Sequence, residues 1–198
     1  MKRLGNWALV FVAIVALSTA VSAQDILLRG KVEDVSGTNQ FVIDCTNVML
    51  QSNAFNLNNF VGQQTEIVGT NVGTPQAPII NVSAIQVIPR IFEIGGNGKI
   101  GREFQLEVAG TPGDRAWIFP ASGPGFGPSN SWGTFLLNSI NTPIASGVIP
   151  GNGLLQIQIP IPNNPALVGR TVYGQALVES NGGLTITLSN ADCNTVES

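Results

Sequence analysis

Apolar and polar residues alternate along most of the chain that follows the first two dozen residues. In EFQLEV, the residues Phe104, Leu106 and Val108 fall on one side of an extended chain and the acidic and amide residues on the other. The same alternation occurs in LQIQI at 155–159 and in LTITL, whose apolar positions are Leu184, Ile186 and Leu188. Strands with one apolar and one polar face are typical of antiparallel sheets. Dense Gly, Pro and Asn turns separate these stretches, so the pattern predicts an all-β protein.

The first part of this region predicts five short strands with a helical turn between the third and the fourth. The turn is expected within SNAFNLNNFVG, and the strands are expected at 26–35, 40–45, 47–51, 65–72 and 79–88. Three strands, a short helical link and two further strands follow the order of the OB fold, a small five-stranded barrel. A small open β-sheet is the alternative that this pattern leaves.

A domain boundary is predicted where an apolar strand ends and a Pro and a Gly-rich turn follow. The boundary region runs from Pro89 to Gly98. About seven strands are expected after it, which fits a two-layer antiparallel β-sandwich. We therefore predict an OB-like barrel domain at 24–90 and a β-sandwich domain at 91–198.

The chain begins with the pattern of a secretory signal peptide. Lys2 and Arg3 precede an apolar run at 7–20, and small residues at Val21 and Ala23 follow it. This pattern predicts a signal peptide at 1–23 with cleavage after Ala23, and hence a secreted or periplasmic protein. The alternative is a retained membrane anchor, although the apolar run is short for a span of about 20 residues.

The composition argues against several classes of function. The chain has a net charge of −3 and no His, whereas nucleic-acid binding depends on Lys and Arg that neutralise phosphates. Without imidazole there is no Ser-His-Asp or Cys-His device and no His metal site. Glu103 and Glu107 share a face, but it is the polar face of an amphipathic strand, where solvated charges are expected. We predict no enzyme activity, no metal and no cofactor.

The chain contains two cysteines, Cys45 and Cys193. Export permits a disulfide between them, which would join the first half of the chain to its C-terminal end. The alternative is two separate thiols, with Cys45 on the same strand face as Phe41 and Ile43, as a small buried residue. The sequence leaves both open.

Aromatic residues crowd around a long Gly/Pro/Ser loop in AWIFPASGPGFGPSNSWGTF. Core positions are expected for the three on the flanking strands, Trp117, Phe119 and Phe135. Phe126 and Trp132 lie in the loop and are candidates for exposure, next to Asn130 and Ser131. Long loops are often binding loops, and an exposed ring beside amide and hydroxyl groups suits a sugar. The alternative is that both rings anchor the loop.

Two sets of residues carry a resemblance to known proteins. The first is RGKVEDVSGTNQFVID, VMLQ, FVGQQTEIVGTNVG and IINVSAIQVI; the second is KIGREFQLEVAGTPGDRAWIF and PALVGRTVYGQALVESNGGLTITLSNA. In the second set Gly169, Tyr173, Gln175, Ala176 and the run 189–191 stand out. The chain resembles uncharacterised exported bacterial proteins with an OB-like N-terminal domain and a C-terminal β-sandwich carrying a G-x-x-x-Y-x-Q-A … L-S-N-A pattern. The resemblance implies export and this fold, and it brings no active site.

Three functions are compatible with these observations. The favoured one is a secreted, non-catalytic structural or protein-interaction module. The second is a carbohydrate-binding module for an extracellular polysaccharide, using the loop around Trp132. The third is a hydrolase with paired carboxylates, for which the strand alternation supports no pair. The expected partner is a protein or a polysaccharide, with no nucleic acid and no membrane after signal cleavage.

Overall fold

The structure is a computed structural model that describes residues 25–35, 40–139 and 142–198. The predicted signal peptide lies outside the described residues. The described chain forms strands and three short 3-10 turns, so the all-β prediction is confirmed. The turns are Leu57–Phe60, Pro165–Leu167 and Asn181–Gly183. The strands are β1 Ile26–Asp34, β2 Phe41–Ile43, β3 Met49–Gln51, β4 Gln64–Asn71, β5 Ile79–Val87, β6 Phe92–Gly96, β7 Glu103–Ala109, β8 Arg115–Ala121, β9 Ser129–Asn130, β10 Gly133–Thr134, β11 Ala145–Val148, β12 Leu154–Pro160, β13 Thr171–Ser180 and β14 Thr185–Thr195.

The first five strands close into the predicted OB-like barrel. Their order around the barrel is β1-β2-β3-β5-β4, and β4 pairs again with β1. β3 and β5 run parallel, and the other pairs are antiparallel. The 3-10 turn Leu57–Phe60 links β3 to β4, and its Leu57 side chain closes the barrel core. Alternate residues of β1 and β4 point into that core, because the side chains of a strand alternate between its faces.

The later strands form the predicted antiparallel sandwich. One sheet has the order β11-β8-β13-β14 and the other has the order β12-β7-β6. In the central strand β7, Phe104, Leu106 and Val108 are buried, as the alternation predicts. They pack against Ala116 and Ile118 of β8 across the sandwich core.

A β-bulge in β14 changes the direction of its polar side chains. Ser189 and Asn190 lie opposite the single residue Ala176 of β13, where the register shifts. Ser189 Oγ accepts a hydrogen bond from Ala176 N at 2.8 Å, so the displaced backbone donor is satisfied. Bulges re-aim side chains in this way. The consequence is that the next polar residues of β14 reach the other sheet.

Polar side chains of β14 tie this strand to β6 in the opposite sheet. Asn190 Oδ1 accepts hydrogen bonds from the backbone N–H groups of Ile91 and Phe92, and its Nδ2 donates to Phe92 O. Asp192 Oδ2 accepts from Ile94 N at 2.6 Å, and Asn194 Nδ2 donates to Ile94 O at 2.9 Å. This side-chain ladder takes the place of a backbone ladder and closes one edge of the sandwich.

Three expectations about individual apolar residues are wrong. Leu184 is 89% exposed, because it follows the tight turn Asn181–Gly183 rather than lying on the core face of β14. Trp117 and Phe119 are half-buried, because Ala116 and Ile118 occupy the core-facing positions of β8. Phe135 is buried as expected, and its ring packs edge-on against Phe119.

Candidate functional site

The aromatic Gly/Pro loop forms an ordered segment between the barrel and the sandwich. We call residues 123–138 the clasp. Its two arms pair through Gly125 N to Leu136 O and Gly127 N to Phe135 O, and β9 and β10 continue the pairing to a two-residue turn at its tip. Leu136 is fully buried in the barrel core. The clasp therefore belongs to the core of a domain that precedes it in the chain.

One arginine joins the barrel to the clasp and to the sandwich. Arg29 on β1 pairs with Glu66 on β4 at 2.6 Å between Nη2 and Oε2. Its Nη1 donates to Trp132 O at 2.8 Å and to Leu188 O at 2.9 Å. The guanidinium thus bonds three separate elements, and these charge-assisted hydrogen bonds are stronger than neutral ones.

A buried glutamine fixes the clasp to the sandwich. Gln175 on β13 is fully buried, and its Oε1 accepts from Leu136 N at 3.0 Å. Its Nε2 donates to Thr134 O at 3.1 Å and to Ser189 O at 2.9 Å. The amide is thereby satisfied by backbone groups, as buried polar groups are in folded proteins. Gln175 therefore holds the clasp against β13 and β14.

A disulfide adds a covalent link between the two domains. Cys45 lies in the turn after β2, with its backbone in the left-handed region at φ 59°, and bonds to Cys193 on β14. Of the two alternatives left open by the sequence, the structure has the paired one. Next to the bridge, burial raises the pKa of Asp192, while hydrogen bonds from the backbone of Ile94 and Cys193 and the charge of Arg90 oppose that shift.

An open groove lies between the barrel and the clasp. Its volume is about 510 Å³, and its walls are the turn after β2, the β4–β5 loop and both arms of the clasp. The groove combines proline rings and the Phe126 ring with the amides of Asn47, Gln76 and Asn138. The lining residues are Asn47, Pro75, Gln76, Pro124, Gly125, Phe126, Gly127, Pro128, Leu137, Asn138 and Ser139.

The structure separates the predicted binding residues. Phe126 lines the groove and packs half-buried against the barrel core. Trp132 is a half-buried residue at the tip of the clasp, and Asn130 Oδ1 accepts a hydrogen bond from Trp132 N at 2.9 Å. Ser131 is exposed beside them. Asn130, Ser131 and Trp132 therefore form the turn, while Phe126 belongs to a different surface.

Sequence reasoning missed Arg29, Asn47 and Gln76 as parts of the interface and of the groove. They lie far from the clasp in the sequence and carry no motif. Gln175 was not missed: it shares a strand face with Tyr173, which predicts packing with a buried hydrogen bond, and it is an amide on a strand that is otherwise apolar at 174–178. Such a residue has to find buried partners.

Comparisons with known proteins give no relative. The chain matches no family model, no curated protein and no solved structure. Across residues 25–35, 40–139 and 142–198, no helix has the length and apolarity needed to cross a membrane. Within those same residues, three or more Cys, Asp or Glu side chains nowhere come together as a metal site would require.

Proposed function

We propose that the protein is an exported, non-catalytic structural or protein-interaction module whose barrel and sandwich act as one rigid unit. The observation that carries this proposal is that polar side chains between neighbouring elements form hydrogen bonds with backbone groups. Arg29, Gln175 and Asn190 direct their hydrogen bonds to backbone groups of neighbouring elements. Side chains committed in this way position the fold, whereas catalytic groups converge on a cleft that a substrate can enter.

Two features support export. The sequence begins with the pattern of a signal peptide, and the domains are joined by a disulfide. Disulfides form and persist in oxidising compartments outside the cytoplasm. If the protein is produced with its own leader, mass spectrometry of the exported fraction is expected to give a chain that starts at Gln24 with both cysteines oxidised. A chain that keeps residues 1–23 would contradict this.

The rigid-unit proposal is tested by calorimetry of the exported protein. We expect a single unfolding transition whose calorimetric and van't Hoff enthalpies agree, because the clasp shares its core with the barrel and its hydrogen bonds with the sandwich. Two separate transitions in the oxidised protein would show that the domains unfold independently. That outcome would contradict the rigid-unit proposal.

A second candidate function, carbohydrate binding, is supported by the groove. OB folds bind oligosaccharides with surfaces that include the loop between strands four and five, and here that loop contributes Pro75 and Gln76 to the groove. The ring of Phe126 and the amides of Asn47 and Asn138 supply the apolar and hydrogen-bonding groups that a sugar needs. The candidate site is therefore the groove rather than the tip of the clasp.

Titration with cell-wall and extracellular polysaccharides separates the two candidates. If the groove binds sugar, calorimetric titration gives saturable heat that Phe126→Ala abolishes and Ser131→Ala, at the exposed tip, leaves unchanged. Trp132→Ala then tests whether the tip contributes. Absence of saturable heat with every polysaccharide supports the interaction module. Thermal unfolding of each variant checks that a loss of binding is not a loss of fold.

A further inference from the structure

The strand β12 forms an edge of the sandwich. Its one partner within the described residues is β7, in a regular antiparallel register from Leu154 opposite Ala109 to Pro160 opposite Glu103. β12 has seven residues, no bulge and no charged side chain. Natural edge strands are commonly protected by charges, prolines, bulges or short length. Of these protections β12 has only Pro160, at its last position, so residues 154–159 are unprotected.

The hydrogen bonds to β7 identify the backbone groups that face outward. Gly110 N donates to Gly153 O at 3.0 Å and Ile161 N donates to Arg102 O at 2.7 Å, so the odd-numbered residues of β12 bond to β7. In an antiparallel pair the residues between them point the other way. The outward N–H and C=O groups are therefore those of the even-numbered residues.

Both ends of this outward row lack a free donor. Leu154 N donates to Asn152 Oδ1 at 3.2 Å, and Pro160 has no N–H. The outward donors that remain in β12 are Gln156 N–H and Gln158 N–H, which are symmetric about Ile157. A strand that complements this row must offer two donors and two acceptors at the same spacing, and β12 of a second copy does so.

We propose that two copies of the chain associate through antiparallel pairing of their β12 strands around a two-fold axis at Ile157. Gln156 of each copy then exchanges two backbone hydrogen bonds with Gln158 of the other. Ile157 meets its symmetry mate in a pair without hydrogen bonds, in which side chains approach closely. The two three-stranded sheets become one sheet of six strands.

Burial along β12 supports a second copy of β12 as the pairing strand. Leu155, Ile157 and Ile159 face the sandwich core but remain half-buried, whereas the core-facing residues of the neighbouring strand β7 are buried. A second β12 would cover the exposed side of this apolar row. The outer face at the junction carries the uncharged Gln156 and Gln158, so no like charges oppose each other there.

The geometry also limits the assembly to two copies. An isologous contact uses the same surface on both subunits and is closed. The other edge of this sheet is β6, which the β14 side chains already occupy. Further strands therefore have no equivalent edge of this sheet to join.

Association is tested by sedimentation and light scattering of the exported protein with Gln158→Pro and Ser146→Pro variants. Proline at 158 removes an outward donor and leaves the bonds to β7, as tolerated on edge strands. Ser146→Pro, an exposed position on the edge strand β11, is the matched control. We expect the wild type and Ser146→Pro to become dimers between about 1 and about 100 μM, and Gln158→Pro to have a dissociation constant at least about tenfold higher. A monomeric wild type, or a Gln158→Pro dimer of unchanged affinity, overturns the proposal.

Two cysteine variants test the register of the pairing. One lysine variant replaces Gln158→Pro if the proline variant does not fold. Ile157→Cys places two thiols at the axis, where Cα atoms are about 4.5 Å apart, within the range of a disulfide. Gln158→Cys places them on the diagonal, about 7–8 Å apart, beyond that range. Oxidative cross-linking at 157 and not at 158 supports the pairing, and the reverse contradicts it. If Gln158→Pro fails to fold, the exposed Gln158→Lys must weaken association instead.

This inference deepens the proposed function by naming a partner, and it rests on that function in requiring an intact sandwich. The two can fail separately. Calorimetry reports whether the domains unfold together, while sedimentation reports whether folded copies associate. A single unfolding transition in a monomeric protein would refute the dimer alone.

Discussion

The two edges of the β-sandwich have similar alternating sequences, but one edge is closed by side-chain hydrogen bonds and the other is open. At one edge, β14 reaches β6 through the side chains of Asn190, Asp192 and Asn194, and the apolar residues of β6 are buried. At the other edge, β12 ends the sheet with half-buried core residues and exposed Gln156 and Gln158. The first edge also carries the disulfide and the contact with the barrel.

A polar residue on a strand can lie either on a solvated face or in the core. Gln156 and Gln158 lie on the solvated face of β12, as their alternation predicts. Asn190 is buried because the bulge at Ser189 turns it toward β6, where it bonds to two N–H groups and a carbonyl. Short amides and carboxylates can satisfy a neighbouring backbone that lies out of register for a ladder, and this seals an edge without adding a strand.

Removing the disulfide is expected to have the largest effect on the closed edge. Cys45 and Cys193 are 148 residues apart in the chain, and cross-links that close long loops restrict the unfolded state most. We expect the double variant Cys45→Ser, Cys193→Ser to lose about 3–5 kcal/mol of unfolding free energy in denaturant titrations. A loss below about 1 kcal/mol would mean that the non-covalent contacts hold the domains alone.

Asn190→Ala is expected to cost about 2–4 kcal/mol, because it leaves backbone groups of Ile91 and Phe92 buried without partners. Gln158→Ala is the matched change at the open edge, where the amide is exposed, and is expected to stay within about 0.5 kcal/mol of wild type. Both losses of unfolding free energy are measured by urea unfolding, at a protein concentration too low for two copies to associate. Equal costs at 190 and 158 would refute the contrast between the edges.

Arg29→Ala is expected to cost about 2–3 kcal/mol, since it removes hydrogen bonds to Trp132 O and Leu188 O and leaves Glu66 without its cation. Arg90→Ala breaks the exposed pair with Glu93 and serves as the control, with an expected cost below about 1 kcal/mol. Thermal unfolding of both variants measures the difference. If Arg29→Ala behaved like Arg90→Ala, the barrel would not depend on this link.

The smallest of these effects is the pH dependence from Asp192. Burial raises its pKa in the folded protein above the ordinary value of 3.8, so the folded state binds the proton more tightly than the unfolded state. The stability from this group is fully present below pH 3.8 and is lost as the pH rises through the raised pKa. We expect the stability of wild type relative to Asp192→Asn to fall over that interval, as measured by denaturant titrations at a series of pH values.

The control for this titration is Glu103→Gln, at an exposed carboxylate of β7. If the stability of wild type relative to Asp192→Asn instead rose with pH, the pKa of Asp192 would be lowered by folding. The hydrogen bonds from Ile94 and Cys193 and the charge of Arg90 would then outweigh burial.

Much of the fold follows from local patterns. The five barrel strands and the turn at Leu57–Phe60 lie where alternation and turn residues predict them. Alternation alone did not locate Leu184, because the preceding turn at Asn181–Gly183 leaves that residue outside β14. A core position was also expected for Trp117 because it is a large aromatic residue on a strand, whereas the small Ala116 is the residue that fits between the sheets.

The sequence by itself determined the all-β class, the positions of the barrel strands and the polar faces of β7 and β12, because these depend on side chains a few residues apart. Only the tertiary structure decided that the aromatic loop is a clasp, that Cys45 bonds to Cys193 and that Arg29, Gln175 and Asn190 join separate elements. The physical reason is distance along the chain. Each of these contacts joins groups tens of residues apart or more, and a hydrogen-bonding side chain carries no local mark of the partner that folding brings to it.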